Sequence, residues 1–177
     1  MIELLVLYSL LKRDLTMYAI SKNIESNFGV FTKPSFGAVK PALRRLESGG
    51  FITSRKIMSD GGRLSVFYAI TKTGKDELVR LMLEELTTNP LKFFSNARVK
   101  LCCADVLSLD ERKKLFFDIK LLSLQFKNEA ETILNDEYNH LTFYQRIIID
   151  NTMCEYKNLI TIVEGLEKDN AGNSKQS

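Results

Sequence analysis

One histidine and three cysteines are the only imidazole and thiol groups in this 177-residue chain. His140 falls in a predicted loop with no cysteine or second histidine at ligand spacing, which argues against a metal site. Cys102 and Cys103 are adjacent and Cys154 is far away, so there is no disulfide framework and a reducing, cytoplasmic setting is expected. Without a histidine partner these thiols lack the usual activation for catalysis, and the adjacent pair reads as buried residues of an apolar stretch rather than a redox sensor. A glycine-rich phosphate loop, a nucleophile elbow and a recognisable carboxylate pair are missing too, so neither an enzyme nor a cofactor is expected. Long apolar runs are also lacking. The stretch 4–11 is interrupted by Ser9, stopped by Lys12 and Arg13, and has no basic segment before it, which reads against a signal peptide and a membrane span.

What is present is ordinary globular material, 45% hydrophobic and 27% charged, enough to bury a sizeable core. The net charge of +3 becomes informative only when it is divided. Between positions 33 and 56 six basic residues (Lys33, Lys40, Arg44, Arg45, Arg55, Lys56) face one acidic residue, Glu47. A basic segment inside a near-neutral chain suggests a polyanionic partner, because lysine and arginine release counterions from phosphates.

Hydrophobic spacing orders the elements. Leu4, Leu5, Leu7, Tyr8 and Leu11 predict a first helix stopping near Arg13 and Asp14. Thr16 is placed to cap a second helix over 17–28, with Ile20, Ile24 and Phe28 on one face and Gly29 as a left-handed end. Ser35 is the expected N-cap of a third helix that carries Val39, Leu43 and Leu46 inward and ends at Gly49 and Gly50. Residues 51–58 and 64–71 read as strands joined by Ser59, Asp60, Gly61 and Gly62, and a fourth helix follows over 75–86. Three helices, a hairpin and a helix in that order make a winged helix-turn-helix, taken as residues 1–88.

Beyond Pro90 the chain is nearly all helical. Ser108 to Glu111 and Thr142 to Gln145 are capping boxes opening two long helices, the second running to about Leu166. Their stripes (Leu115, Ile119, Leu122, Phe126 and Ile133; Ile149, Met153, Tyr156, Leu159 or Ile160, and Val163) exceed what a small winged helix can cover. Residues 89–168 therefore read as a helical dimerisation domain, and 169–177 have the composition of a disordered tail.

These patterns together resemble the PadR family of transcriptional regulators. The second helix opens Tyr18-Ala19-Ile20, similar to the family's aromatic-x-Ile signature. Pro41-Ala42-Leu43-Arg44-Arg45-Leu46-Glu47 leading to Gly50-Phe51-Ile52 is similar to its most specific run. Phe67-Tyr68-Ala69-Ile70-Thr71 with Gly74 resembles its wing ending, and Leu141 to Arg146 resembles the start of the last helix in its longer members. Thr16-Met17 stands where the family commonly has His-Gly, and Lys40 where it commonly has tyrosine.

The fold class expected is thus mainly α with a small β wing and a C-terminal antiparallel helical arm. The partners implied are double-stranded DNA and a second copy of the chain, with a small-molecule effector and a repressor's role implied by the resemblance. In a helix-turn-helix the second helix of the motif enters the major groove. The expected DNA-contacting residues are Tyr18, Lys33, Ser35, Phe36, Gly37, Lys40, Arg44 and, at the wing, Arg63. Phe36 reads equally as a hydrophobic staple and Tyr18 as a packing residue. A winged-helix module that binds an acidic protein without sequence-specific DNA binding is the alternative the residues leave open.

Overall fold

The computed structural model describes residues 1–58, 62 and 64–173, with the backbone alone at Phe36 and at 171–173. The turn residues Ser59, Asp60 and Gly61, the candidate Arg63 and the tail positions 174–177 lie outside the described residues. The chain forms two compact units, 1–85 with 94–106, and 86–93 with 107–177. The stretch 94–106, which the sequence groups with the helical arm, thus packs with the first unit.

In the first unit α1 (Ile2–Ser9) is predominantly apolar, with Glu3 its one charged residue, and Leu4, Leu5, Val6 and Leu7, with Leu10 just beyond it, are all buried. A helix with so many apolar positions belongs largely inside a core. Its buried hydroxyl is satisfied, since Ser9 Oγ donates to Leu5 O at 2.8 Å and Asn23 Oδ1 lies 3.0 Å away. The helix stops short of Arg13 because Leu10 N–H is shared between Val6 O and Leu7 O, and Leu15–Thr16 then forms a strand, β1. Thr16 Oγ1 accepts from Ala19 N at 3.3 Å and opens α2 (Met17–Phe28), whose inner face is Ile20, Ile24 and Phe28. Gly29 follows with φ −60°, so the left-handed ending expected there does not form; the positive φ falls instead at Gly50, after α3.

Helix α3 (Phe36–Ser48) buries Val39, Ala42, Leu43 and Leu46 and packs against α1 and α2. Pro41 lies inside the helix and does not end it. The Gly37 carbonyl loses its ladder donor there, but Gly37 is exposed, so the lost bond falls at the surface and not in the core. Leu43 is 2% exposed, so Leu43→Ala should cost about 2–5 kcal/mol in chemical denaturation, and unchanged stability would mean this face does not carry the core.

Strands β2 (Ile52–Met58) and β3 (Leu64–Ile70) pair antiparallel from Ile52↔Ile70 to Met58↔Leu64, and β1 adds to the far edge of β3 through Leu15↔Tyr68 and Thr16↔Phe67. Only Ile52 of β2 is buried, so the hairpin stands out from the body as a wing anchored at its base. Helix α4 (Lys72–Leu83) begins three residues before the expected start because Thr71 caps it, accepting from Gly74 N at 3.0 Å.

Helix α5 (Pro90–Cys102) leads through a short 3-10 turn, Ala104–Val106, to α6 (Leu109–Asn135) and α7 (Phe143–Asn173). Both capping boxes form: Ser108 N donates to Glu111 Oε2 at 2.8 Å, and Thr142 N to Gln145 Oε1 at 2.8 Å. Helix α7 continues past Leu166 into the stretch read as a tail. Contacts between α6 and α7 run in opposite order along the two helices: Arg112 meets Asn170, Lys120 meets Glu164, and Arg146 meets Leu134. The pair is an antiparallel hairpin. It buries Leu115, Ile119 and Phe126 of one stripe with Tyr156, Leu159 and Val163 of the other. The stripes taken as needing a second chain are therefore largely covered within their own hairpin. Phe93, Phe126 and Tyr156 pack ring on ring in this core, with centroids 5.3 to 6.3 Å apart.

Candidate nucleic-acid interface

The split of α3 into two faces decides which of its charges look outward. With Val39, Leu43 and Leu46 inside, the exposed ridge is Gly37, Lys40 and Arg44, spaced by three and four. Arg45 is turned the other way: its Nε donates to Glu3 Oε1 of α1 at 2.8 Å. Burial pushes the Glu3 carboxyl up, but the hydrogen bond and charge of Arg45 outweigh it and hold the group below its ordinary value. Arg55 of the wing is likewise committed, to Asp14 at 2.8 Å. Among the described residues Lys40, Arg44 and Lys56 have no ion pair, so the basic segment divides into anchors and free charges.

Arg44 also adjoins the wing. It and Glu47 both act on the phenol of Tyr68 in β3, whose pKa is raised by burial and by Glu47 and lowered by Arg44. Glu47 in turn accepts from Ser54 Oγ of β2, which ties the outer edge of α3 to the hairpin base. The wing turn beyond is reached through Gly62, whose φ of +75° suits a residue without Cβ.

At the other end of α3 a concavity of about 550 Å³ opens between α2 and the start of α3. Tyr18, Lys33 and Ser35, three of the residues expected to touch DNA, line it together. Tyr18 is 64% exposed, which removes its reading as a packing residue. Ser35 has N-cap backbone angles, yet its hydroxyl makes no capping bond, so the first-turn amides of α3 have no side-chain partner from it. The side chains of Phe36 and Arg63 lie outside the described residues. Lys22 and Glu25 share the concavity and were not singled out by the sequence, although Tyr18, Lys22 and Glu25 recur at i, i+4 and i+7 on one face of α2.

An exposed basic ridge on the second helix of a helix-turn-helix, flanked by a wing, is an arrangement for entering a groove. Residues 6–80, which hold these helices and the wing, match the transcriptional regulator PadR-like family. The chain belongs to that family. It is a PadR-like transcriptional regulator with a DNA-binding winged helix. Solved structures similar to it include Bacillus subtilis PadR in complex with operator DNA, 20% identical, covering 95% of this chain and 98% of that one with a TM-score of 0.43. The smu.1604c protein of Streptococcus mutans UA159 is 25% identical, with 92% and 96% covered and a TM-score of 0.44. A PadR family transcription regulator from Clostridium difficile R20291 is 31% identical over 44% of this chain and 78% of its own, with a TM-score of 0.38. No curated protein matches the chain.

Other chemistry is sparse in this PadR-like chain. Among the described residues no cluster of His, Cys, Asp and Glu is placed to hold a metal ion, and no helix is long and apolar enough to cross a membrane. Of the adjacent cysteines only Cys103 is buried, its thiol pushed up to about 12 chiefly by that burial; Cys102 is exposed, contrary to the expectation that both are core.

Proposed function

We propose that this PadR-like regulator is a homodimeric repressor that reads a palindromic operator. Helix α3 enters the major groove with Gly37, Lys40 and Arg44 toward the bases, while Tyr18, Lys33 and Ser35 hold the flanking phosphates. Phe36 and Arg63 complete the reading from the α3 start and the wing. The observation that carries it is the segregation of charge: Arg45 and Arg55 are tied at the surface to Glu3 and Asp14, and Lys40 and Arg44 stand without an ion pair among the described residues on the exposed ridge. A small-molecule effector that relieves repression completes the reading; Bacillus subtilis PadR is known with p-coumaric acid as well as with operator DNA.

The dimer is supported by what the α6–α7 hairpin leaves uncovered. Phe117, Leu121 and Leu124 form an exposed apolar stripe on α6, and Phe143, Tyr144, Ile147 and Ile148 another on α7. Apolar surface of that extent marks an interface.

Selection of bound duplexes from a random pool tests the operator. The expected product is an inverted repeat with half-sites about one helical turn apart, bound by two protomers with strongly salt-dependent affinity. Absence of any salt-dependent duplex binding would move the protein-interaction reading ahead. In sedimentation at micromolar concentration the protein should be a dimer. Leu121→Asp should yield a folded monomer that binds the selected operator roughly a hundredfold more weakly, because the second half-site is no longer tethered. A dimer that survives the substitution would place the interface elsewhere.

A further inference from the structure

The concavity between α2 and α3 contains a carboxylate for which phosphate binding has no evident use. Glu25 lies between the two cations that line the same hollow. Its Oε2 accepts from Lys22 Nζ at 2.9 Å, and its Oε1 lies 3.9 Å from Lys33 Nζ. The hydrogen bond from Lys22 and the charges of Lys22 and Lys33 hold this carboxyl below its ordinary value, so it is ionised at neutral pH. Lys33 belongs to the connection between the two helices, and its ammonium makes no other ion pair among the described residues.

A carboxylate oxygen and a phosphate oxygen offer an ammonium group the same thing, an anionic acceptor at hydrogen-bond distance. A DNA strand entering this hollow meets Lys22 and Lys33, and it finds both already turned to Glu25. Binding therefore exchanges one anion for another and leaves the displaced carboxylate facing the strand. Two like charges a few ångströms apart at a solvated surface repel by an amount that salt screens.

We propose that Glu25 is an internal competitor for backbone phosphate, a residue that lowers the electrostatic share of DNA affinity; this rests on the DNA-binding reading of the α2–α3 face. The competitor is permanent rather than switched. It acts on Lys33, which the proposed function sets against a phosphate, and on Lys22 beside it in the same hollow, and leaves the α3 ridge of Lys40 and Arg44 untouched. Its effect falls on every duplex, because backbone contacts carry no sequence information. It also blunts salt dependence, since a carboxylate brought against DNA retains cations that the two lysines would otherwise release.

Glu25→Gln in the full chain tests this, the side chain being exposed and its backbone bond to Gly29 independent of charge. The expected result is a gain of roughly three- to tenfold in affinity at ~0.1 M salt for random and selected duplexes alike. The plot of log affinity against log salt should steepen by about one unit. Lys33→Ala in the Glu25→Gln background should remove much of that gain, whereas in the parent it should cost less. Unchanged or weakened binding by a Glu25→Gln protein of normal thermal stability overturns the proposal. If the parent binds duplex and loses affinity on Lys40→Ala while Glu25→Gln has no effect, the competitor role alone falls. If neither parent nor variant binds any duplex at low salt, the DNA-binding reading of this face falls with it.

Discussion

Gly74→Ala should destabilise the winged helix by more than about 3 kcal/mol, against the sign that helix propensity alone predicts. Alanine is favoured over glycine in a helix by about 1 kcal/mol, so an exposed helical glycine gains from the change. Gly74 lies in α4 and is buried. A Cβ built there would stand 1.9 Å from Phe51 O and 2.9 Å from Ile70 Cγ1. The first is backbone and cannot rotate away. It is also the acceptor for Thr71 N at 3.0 Å and Thr71 Oγ1 at 3.0 Å, the bonds that join the entry of β2 to the exit of β3. Displacing that carbonyl opens the base of the wing and the cap of α4 together, a close-packing failure with few ways to relax. Urea unfolding measures it. A variant as stable as the parent would mean that α4 can slide away from Phe51 at little cost.

Lys40→Ala and Arg44→Ala together should abolish tight operator binding, each change costing on the order of tenfold to a hundredfold. The two separate by their signatures. A residue that reads a base relaxes preference at one operator position, whereas one that holds phosphate weakens all duplexes alike and lowers the salt slope by about one unit. Arg45→Ala is the contrast, since its guanidinium is bound to Glu3. It should leave affinity for the selected operator nearly unchanged although it removes the same charge from the same helix. Full binding by the Lys40→Ala, Arg44→Ala protein would remove α3 as the reader and favour the protein-interaction reading.

The contrast between Arg44 and Arg45 shows how far spacing alone reaches. The i, i+4 relation places Arg44 with Lys40 and turns Arg45 away, and the structure agrees. Spacing does not say what Arg45 is turned toward, because Glu3 lies 42 residues away along the chain. The same holds for Arg55 and Asp14, 41 residues apart. A count of basic residues therefore overstates the charge this face offers to DNA.

Elements whose signals are local were legible from the sequence: α2 with its Thr16 cap, α3 with its inward Val39, Leu43 and Leu46, the hairpin, and both capping boxes. A cap or an amphipathic repeat is complete within one or two turns, so its chemistry is present in the order of residues. What required a distant partner was decided by tertiary structure. Strand β1 is two residues long, too short for any periodicity, and exists only because Tyr68 and Phe67 complete its pairing. The stripes of α6 and α7 are visible in the sequence, but whether they meet each other or a second chain depends on how the hairpin closes. Cys102 and Cys103 sit in the same apolar stretch, but Cys102 is the last residue of α5 and Cys103 the first beyond it, so packing alone exposes one and buries the other. The Lys22–Glu25–Lys33 cluster joins a helix face to a connecting segment, and only the turn between α2 and α3 brings the second lysine to the carboxylate.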